Sequence, residues 1–234
     1  MYKKITHTIV EEHFDHPIAG EIKKSISRSR IPNNEILSEN KFRSDVSAYF
    51  ASYMTKLNAM MNSVTGTEEN LIVPFEELFK DCQIDTLGNL TKPIYSSEFG
   101  ERINAAFRNI AISVLILVPL IKSGKDYSLV TNRFAFIFND MAFTLSNFNN
   151  NWNFQQIQIL FQNIMNEILN QVKARNKKDN IAEQAASQKI TDYLSAFEQT
   201  LVDGIISQHP ERFTRATTSS FVTPKTSYTN NDIM

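Results

Sequence analysis

Glycine and cysteine are both scarce in this sequence, and each scarcity excludes a class of protein. The chain has 234 residues, of which six are glycine and one is cysteine. An average glycine usage of about 7% would give well over twice as many, and phosphate-binding loops and tight hairpins need that residue. No dinucleotide fingerprint or P-loop is present. The single cysteine, Cys82, cannot form a disulfide within the chain and is typical of a reducing compartment.

The sequence also lacks an excess of charge and a long apolar run. Its formal net charge is −1, so no basic field favours nucleic acid, and we expect no nucleic-acid partner. The most apolar stretch, residues 110–121, is shorter than the roughly 20 residues of a membrane span. We therefore expect a buried core helix and no transmembrane segment. The N-terminus has no apolar signal region, which favours a cytoplasmic location, with non-classical export left open.

A regular apolar spacing is the strongest positive feature of the second half. From Phe154 onward, apolar residues recur at steps of three and four, which is the period of one helix face. Asn153 suits the N-cap, and Gln156 stands three residues later, as in a capping box. Basic residues occupy the other end, where the helix dipole favours them. The pattern predicts a helix with its apolar stripe at 154, 157, 161, 164, 168 and 172.

Three further stripes predict helices that pack beside this one. The first follows a Ser97 cap, and the second includes Phe136 and Phe143, which widen it until the helix is expected to be buried on most sides. Short connectors, such as residues 175–184 before the last helix, favour antiparallel neighbours. The stripes lie at 99, 103, 107, 110, 114, 118 and 121; at 130, 134, 137, 141, 145 and 148; and at 190, 193, 194, 197, 201 and 205.

The first half is less regular, and the chain ends in a segment without periodicity. A helix capped by Ser44 is expected to reach about Asn62, and a short helix follows near Pro74. The resulting fold class is all-α: an irregular antiparallel helical bundle that can divide into two subdomains, with a flexible C-terminal tail. The expected units are an N-terminal subdomain at 1–82, a linking loop at 83–97, a four-helix bundle at 98–208 and a polar tail at 209–234.

The segment EEHFDHP, residues 11–17, is the one cluster of potential metal ligands. His7 and Glu11 are four residues apart and would share one face of a helix, so they could supply two ligands, and His13 is a further candidate. Neither H-E-x-x-H nor the paired E-x-x-H of di-iron bundles is present. We therefore interpret the segment as a junction between two helices and expect no metal, no cofactor and no catalytic residues. His209, which precedes a proline, is interpreted as a surface residue.

Three functional hypotheses follow. The first is a non-enzymatic helical protein–protein interaction module, such as an adaptor, an accessory subunit of a multiprotein bacterial or phage assembly (for example secretion machinery), or a delivered effector that acts by binding. The second is a protein that binds a small apolar ligand in the bundle core. The third is a metal-dependent enzyme that uses His7, Glu11 and His13. A protein partner is expected in the first case, and a host with an AT-rich genome is suggested by composition.

Overall fold

Helices account for nearly all of the fold. A computed structural model of the chain describes residues 36–80 and 83–214, and within them it contains seven α-helices and two short strands. Strands β1 (Leu37–Ser38) and β2 (Phe213–Thr214) pair in parallel. The helices are α1 (Glu39–Asn62), α2 (Glu68–Lys80), α3 (Thr86–Thr91), α4 (Ser97–Lys122), α5 (Ser128–Phe148), α6 (Phe154–Asn176) and α7 (Asn180–Gln208).

The predicted all-α bundle is confirmed. Helices α4, α5, α6 and α7 pack as sequential neighbours, and α1 crosses against α4, α6 and α7. The α6 N-cap also agrees with the prediction, because the side chain of Asn153 accepts a hydrogen bond from the backbone N–H of Gln156 at 3.1 Å. One continuous apolar core contains fully buried residues from both halves, among them Val46, Leu57 and Phe197. Packing of amphipathic faces therefore stabilises these helices.

Helix α4 carries the apolar run at 110–121. Its buried residues include Ala111, Val114 and Leu117, which agrees with the interpretation as a core helix. Within the described part of the chain, α4 is the one helix long and apolar enough to cross a membrane, and 61% of its most apolar window is buried inside the bundle. The core helix of a soluble protein can have the same length and composition, so this property does not place the chain in a membrane.

Three predicted helix boundaries were wrong by one to several residues. Helix α1 begins after Ser38, whose side chain accepts from the backbone N–H of Lys41, and so Ser44 lies inside the helix. Ser96, not Ser97, caps α4. Helix α7 begins at Asn180, within the segment expected as a connector, because the side chain of Asp179 caps it. The residues that cap these helices are serines and an aspartate, which are common N-caps, and each lies earlier in the chain than the predicted helix start.

Residues 83–97 are not an extended loop, contrary to the prediction. They form a 3₁₀ turn at Gln83–Asp85, helix α3 and a further turn that leads into α4. Ile84, Leu87 and Ile94 are all buried in the same core as both halves of the chain. The segment is therefore packed structure, and the division into two subdomains around it stays a prediction.

The expected tail from residue 209 also begins too early. Residues Pro210–Arg212 form a 3₁₀ turn, and Phe213 then pairs with Leu37 through the two short strands. The ring of Phe213 is buried, 5.3 Å from the ring of Phe42 between centroids. The chain is therefore packed as far as Thr214, and the predicted tail beyond that residue lies outside the described part of the chain.

Candidate functional site

The candidate metal ligands all belong to the first part of the chain. His7, Glu11 and His13 lie outside the described residues, as does Cys82. Within residues 36–80 and 83–214, no group of three or more histidine, cysteine, aspartate or glutamate side chains could hold a metal ion. The hypothesis of a metal-dependent enzyme therefore stays a prediction about the first part of the chain.

A polar and aromatic cluster lies where α5 ends and α6 begins. The side chain of Asn149 donates to the hydroxyl of Tyr95 at 2.9 Å and to the carbonyl of Gly204 at 2.8 Å. The buried indole of Trp152 donates to the carbonyl of Thr200 at 3.0 Å. These hydrogen bonds tie the α5–α6 turn to α7 and satisfy buried polar groups, so we interpret the cluster as structural.

His209 belongs to the edge of that cluster. Its side chain is 19% exposed, and its ring lies edge-on to Tyr95 with centroids 5.1 Å apart. Nδ1 lies 3.5 Å from a carboxylate oxygen of Glu211. The interpretation of His209 as a surface residue was therefore wrong, since the imidazole packs against the bundle.

Helix α5 presents large apolar side chains to solvent. Leu129 is 81% exposed, Phe136 54% and Phe143 44%. We call these three residues the α5 stripe. The expectation that Phe136 and Phe143 make the helix buried on most sides was wrong. Among the described residues, α5 packs against α4 and α6, and Phe136 and Phe143 are exposed on its other side. Of the seven exposed large apolar residues in the described part of the chain, the α5 stripe contributes three and α6 adds Ile159.

Helix α5 itself and the part of α6 beside it carry few charged residues. Only Arg133 and Asp140 are charged within α5, and the first charged residue of α6 is Glu167. Helix α7, by comparison, has five charged residues. Burial lowers the pKa of Arg133 and raises the pKa of Asp140, so both charged groups are partly desolvated. Charge depletion combined with exposed aromatic residues is the composition found at the centre of protein interfaces.

A shallow depression of about 340 Å³ lies beside Phe136, between α5 and α6. Its rim is made of uncharged groups. The side chain of Asn139 accepts a hydrogen bond from Gln158 at 2.9 Å across the two helices. The depression is lined by Ala135, Phe136, Phe138, Asn139, Gln158, Gln162 and Met165.

A second cavity, of about 420 Å³, opens between α1, α2 and α3. Tyr49 and Tyr53 contribute to its wall, together with the apolar Leu78 and Leu90. The hydroxyl of Tyr53 donates to the carbonyl of Phe107 at 3.1 Å. The hydroxyl of Tyr49 is buried and has no hydrogen-bond partner among the described residues. Burial, with a further contribution from Tyr53 and Asp85, raises the pKa of Tyr49 well above its usual value, so the hydroxyl stays neutral.

Comparison with known proteins adds no functional assignment. No family model, no curated protein and no solved structure matches this chain. The α5 stripe and the Tyr49 cavity are therefore the two features on which a function can be argued. The sequence signal for the first was present in the spacing of Leu129, Phe136 and Phe143, whereas nothing in the sequence marked the second.

Proposed function

We propose that this protein is a non-enzymatic interaction module, a helical subunit that binds another protein chain through the α5 stripe. The observation that carries the proposal is the exposure of Leu129, Phe136 and Phe143 on one helix face. Such a module could serve as an accessory subunit of a larger bacterial or phage assembly in the cytoplasm.

Physical chemistry favours burial of this surface against a partner. Exposed single apolar residues are ordinary, but three large ones on the same face of one helix, with two phenylalanines among them, favour an interaction site. Each phenylalanine has roughly half of its side-chain surface available to a partner. A partner would remove this surface from water at about 25 cal/mol for each Å² of apolar area. The two charged groups that flank the stripe, Arg133 and Asp140, are already partly desolvated by burial.

The test is a matched pair of surface substitutions. Phe136→Asp introduces a charge at the centre of the stripe, and Ile181→Asp introduces the same charge at an apolar residue of α7 that is 85% exposed. Tagged wild-type protein and both variants would be used to capture binding proteins from the native cell. Any enriched protein would then be purified, and its dissociation constant would be measured with each variant.

We expect Phe136→Asp to weaken binding and Ile181→Asp to leave the dissociation constant unchanged. Circular dichroism would show that both variants are folded. If Phe136→Asp bound its partner as tightly as wild type, the α5 stripe would not be the interaction surface and the proposal would be wrong.

A second function, binding of a small and mostly apolar ligand, is favoured by the Tyr49 cavity. Its volume lies within the range of small-molecule sites, and a buried hydroxyl without a partner can form one hydrogen bond to a ligand. The variant Tyr49→Phe removes the hydroxyl and keeps the ring. If native mass spectrometry of protein from its own host shows a bound small molecule that Tyr49→Phe lacks, this second function is supported. An unliganded mass for both proteins would contradict it.

A further inference from the structure

We propose that the chain bound by the α5 stripe is a second copy of this protein, with the two α5 helices antiparallel and Phe136 on the two-fold axis. The inference rests on the proposed function and names the partner of the same surface. It is carried by two properties of α5, the spacing of its exposed apolar residues and the placement of its only two charges.

The spacing makes the stripe complementary to itself. Leu129, Phe136 and Phe143 are seven residues apart, and a seven-residue repeat keeps side chains on nearly one face of a helix, with a drift of about 20° per repeat. Leu129 and Phe143 lie at equal distances in sequence on either side of Phe136. An antiparallel pair therefore places Leu129 of each copy against Phe143 of the other, and Phe136 against itself. A two-fold symmetric interface requires this reciprocal contact.

The charges select the antiparallel orientation. Arg133 and Asp140 each follow a stripe residue by four positions, so both lie on the same flank of the stripe. An antiparallel pair keeps this flank of both copies on the same side of the interface and brings Arg133 of one copy close to Asp140 of the other. A parallel two-fold pair would put the two flanks on opposite sides of the interface, so neither charge would meet its opposite. Within the chain, Arg133 donates a hydrogen bond to the side chain of Asn109 at 2.9 Å. Burial raises the pKa of Asp140, and the positive charge of Arg102 reduces that rise. These charges therefore set the orientation more than the affinity.

The other exposed side chains of this face can form hydrogen bonds to a neighbouring helix. The exposed side chains between the stripe residues include the amides of Asn132 and Asn139, which can donate and accept across an interface. The 340 Å³ depression beside Phe136 offers room for a side chain of the second copy, as helices pack by inserting side chains into gaps on the facing helix.

Disulfide trapping tests both the contact and its orientation. In a Cys82→Ser background, Phe136→Cys should form a cross-linked dimer with itself under mild oxidation, because residues on a two-fold axis face their own copies. Leu129→Cys and Phe143→Cys should cross-link when the two variants are mixed, and each alone should stay largely monomeric on a non-reducing gel. Cross-linking of Leu129→Cys with itself would indicate a parallel pair and overturn the inference.

Sedimentation velocity measures the same interaction without cysteine. Wild type should show a concentration-dependent monomer–dimer equilibrium. Phe136→Asp places two carboxylates together on the two-fold axis and should raise the dimer dissociation constant by more than about a hundredfold, whereas Ile181→Asp should match wild type. A wild-type protein that stays monomeric at its highest soluble concentration, or a dimer that Phe136→Asp does not weaken, would overturn the inference.

The outcomes separate this inference from the proposed function. A monomeric wild type that binds a different protein in a Phe136-dependent way would overturn the self-association and leave the interaction module standing. A monomeric wild type whose binding is indifferent to Phe136→Asp would overturn both.

Discussion

Gly88 is the residue at which the packing of α3 can be tested most directly. A Cβ atom added there would lie 2.2 Å from the backbone carbonyl oxygen of Gly100 and 2.0 Å from the side-chain oxygen of Asn104. Both distances are far shorter than a real carbon–oxygen contact, and the carbonyl belongs to α4 and cannot rotate away. The backbone N–H of Gly88 also donates to that Asn104 oxygen at 2.9 Å. Gly88→Ala must therefore separate α3 from α4.

The expected change in stability follows from opposing contributions. Alanine in a helix is favoured over glycine by about 1 kcal/mol. Overpacking costs about 1–3 kcal/mol, and leaving the buried N–H and its acceptor unpaired costs about 1–3 kcal/mol more. The net loss in the free energy of unfolding is about 1–5 kcal/mol. A loss in the middle of this range would lower the melting temperature by about 6–12 °C in a chain of this size.

Urea unfolding followed by far-ultraviolet circular dichroism would measure this loss at one fixed protein concentration. Asn89→Ala is the matched control, because Asn89 is the exposed neighbour of Gly88 in α3 and its substitution should change the free energy of unfolding by no more than about 0.5 kcal/mol. If Gly88→Ala were as stable as wild type, α3 would not pack against α4 as described. Residues 83–97 would then behave as the flexible loop that the sequence suggested.

Three further predictions address other parts of the fold. Phe213→Ala should lower the free energy of unfolding by about 3–5 kcal/mol, as measured with urea, because the ring is buried against Phe42. An unchanged urea midpoint would place this residue in a flexible tail. Asn149→Ala should lower the free energy of unfolding by about 1–3 kcal/mol, because it removes the hydrogen bond to the hydroxyl of Tyr95 and a second one to α7. A melting temperature equal to that of wild type would refute this. Burial raises the pKa of Tyr53 and Tyr95 above the ordinary value near 10, so unfolding releases protons from these tyrosines above about pH 10. Their contribution to the free energy of unfolding is therefore complete below that pH and falls as the pH rises further. Reversible titration of every tyrosine near pH 10 in folded protein, followed at 295 nm, would contradict it.

Helix positions could be predicted from this sequence because their signals are local. The stripe that begins at Phe154 repeats over six apolar residues, and Asn153 provides a cap whose hydrogen bond the structure contains. The start of α1 was missed because Ser38 and Ser44 are both good caps by chemistry. What decides between them is that residues 39–43 continue the helix, with Phe42 buried in the core. That contact depends on Phe213, far along the chain.

Helix α3 could not be predicted because its own residues scarcely favour it. It has six residues, including a glycine and two threonines, and such a short helix is marginal in isolation. Its stability comes from tertiary contacts, as Gly88 permits the close approach to α4 and Asn104 binds its backbone. The spacing of residues along the sequence shows neither contact. The glycine and the proline in this segment therefore led to the prediction of a loop.

For the α5 stripe, the sequence showed the apolar residues Phe136 and Phe143 but not whether they are buried or exposed. Apolar residues on two faces of a helix indicate either complete burial or one buried face and one face that binds a partner, and periodicity alone cannot separate these cases. The structure separates them, because Phe134, Phe138 and Met141 fill the core side of α5 and Phe136 and Phe143 are not needed to complete it. Substitutions at these two residues should therefore change association at little cost to folding, which is the property that makes the proposed function accessible to experiment.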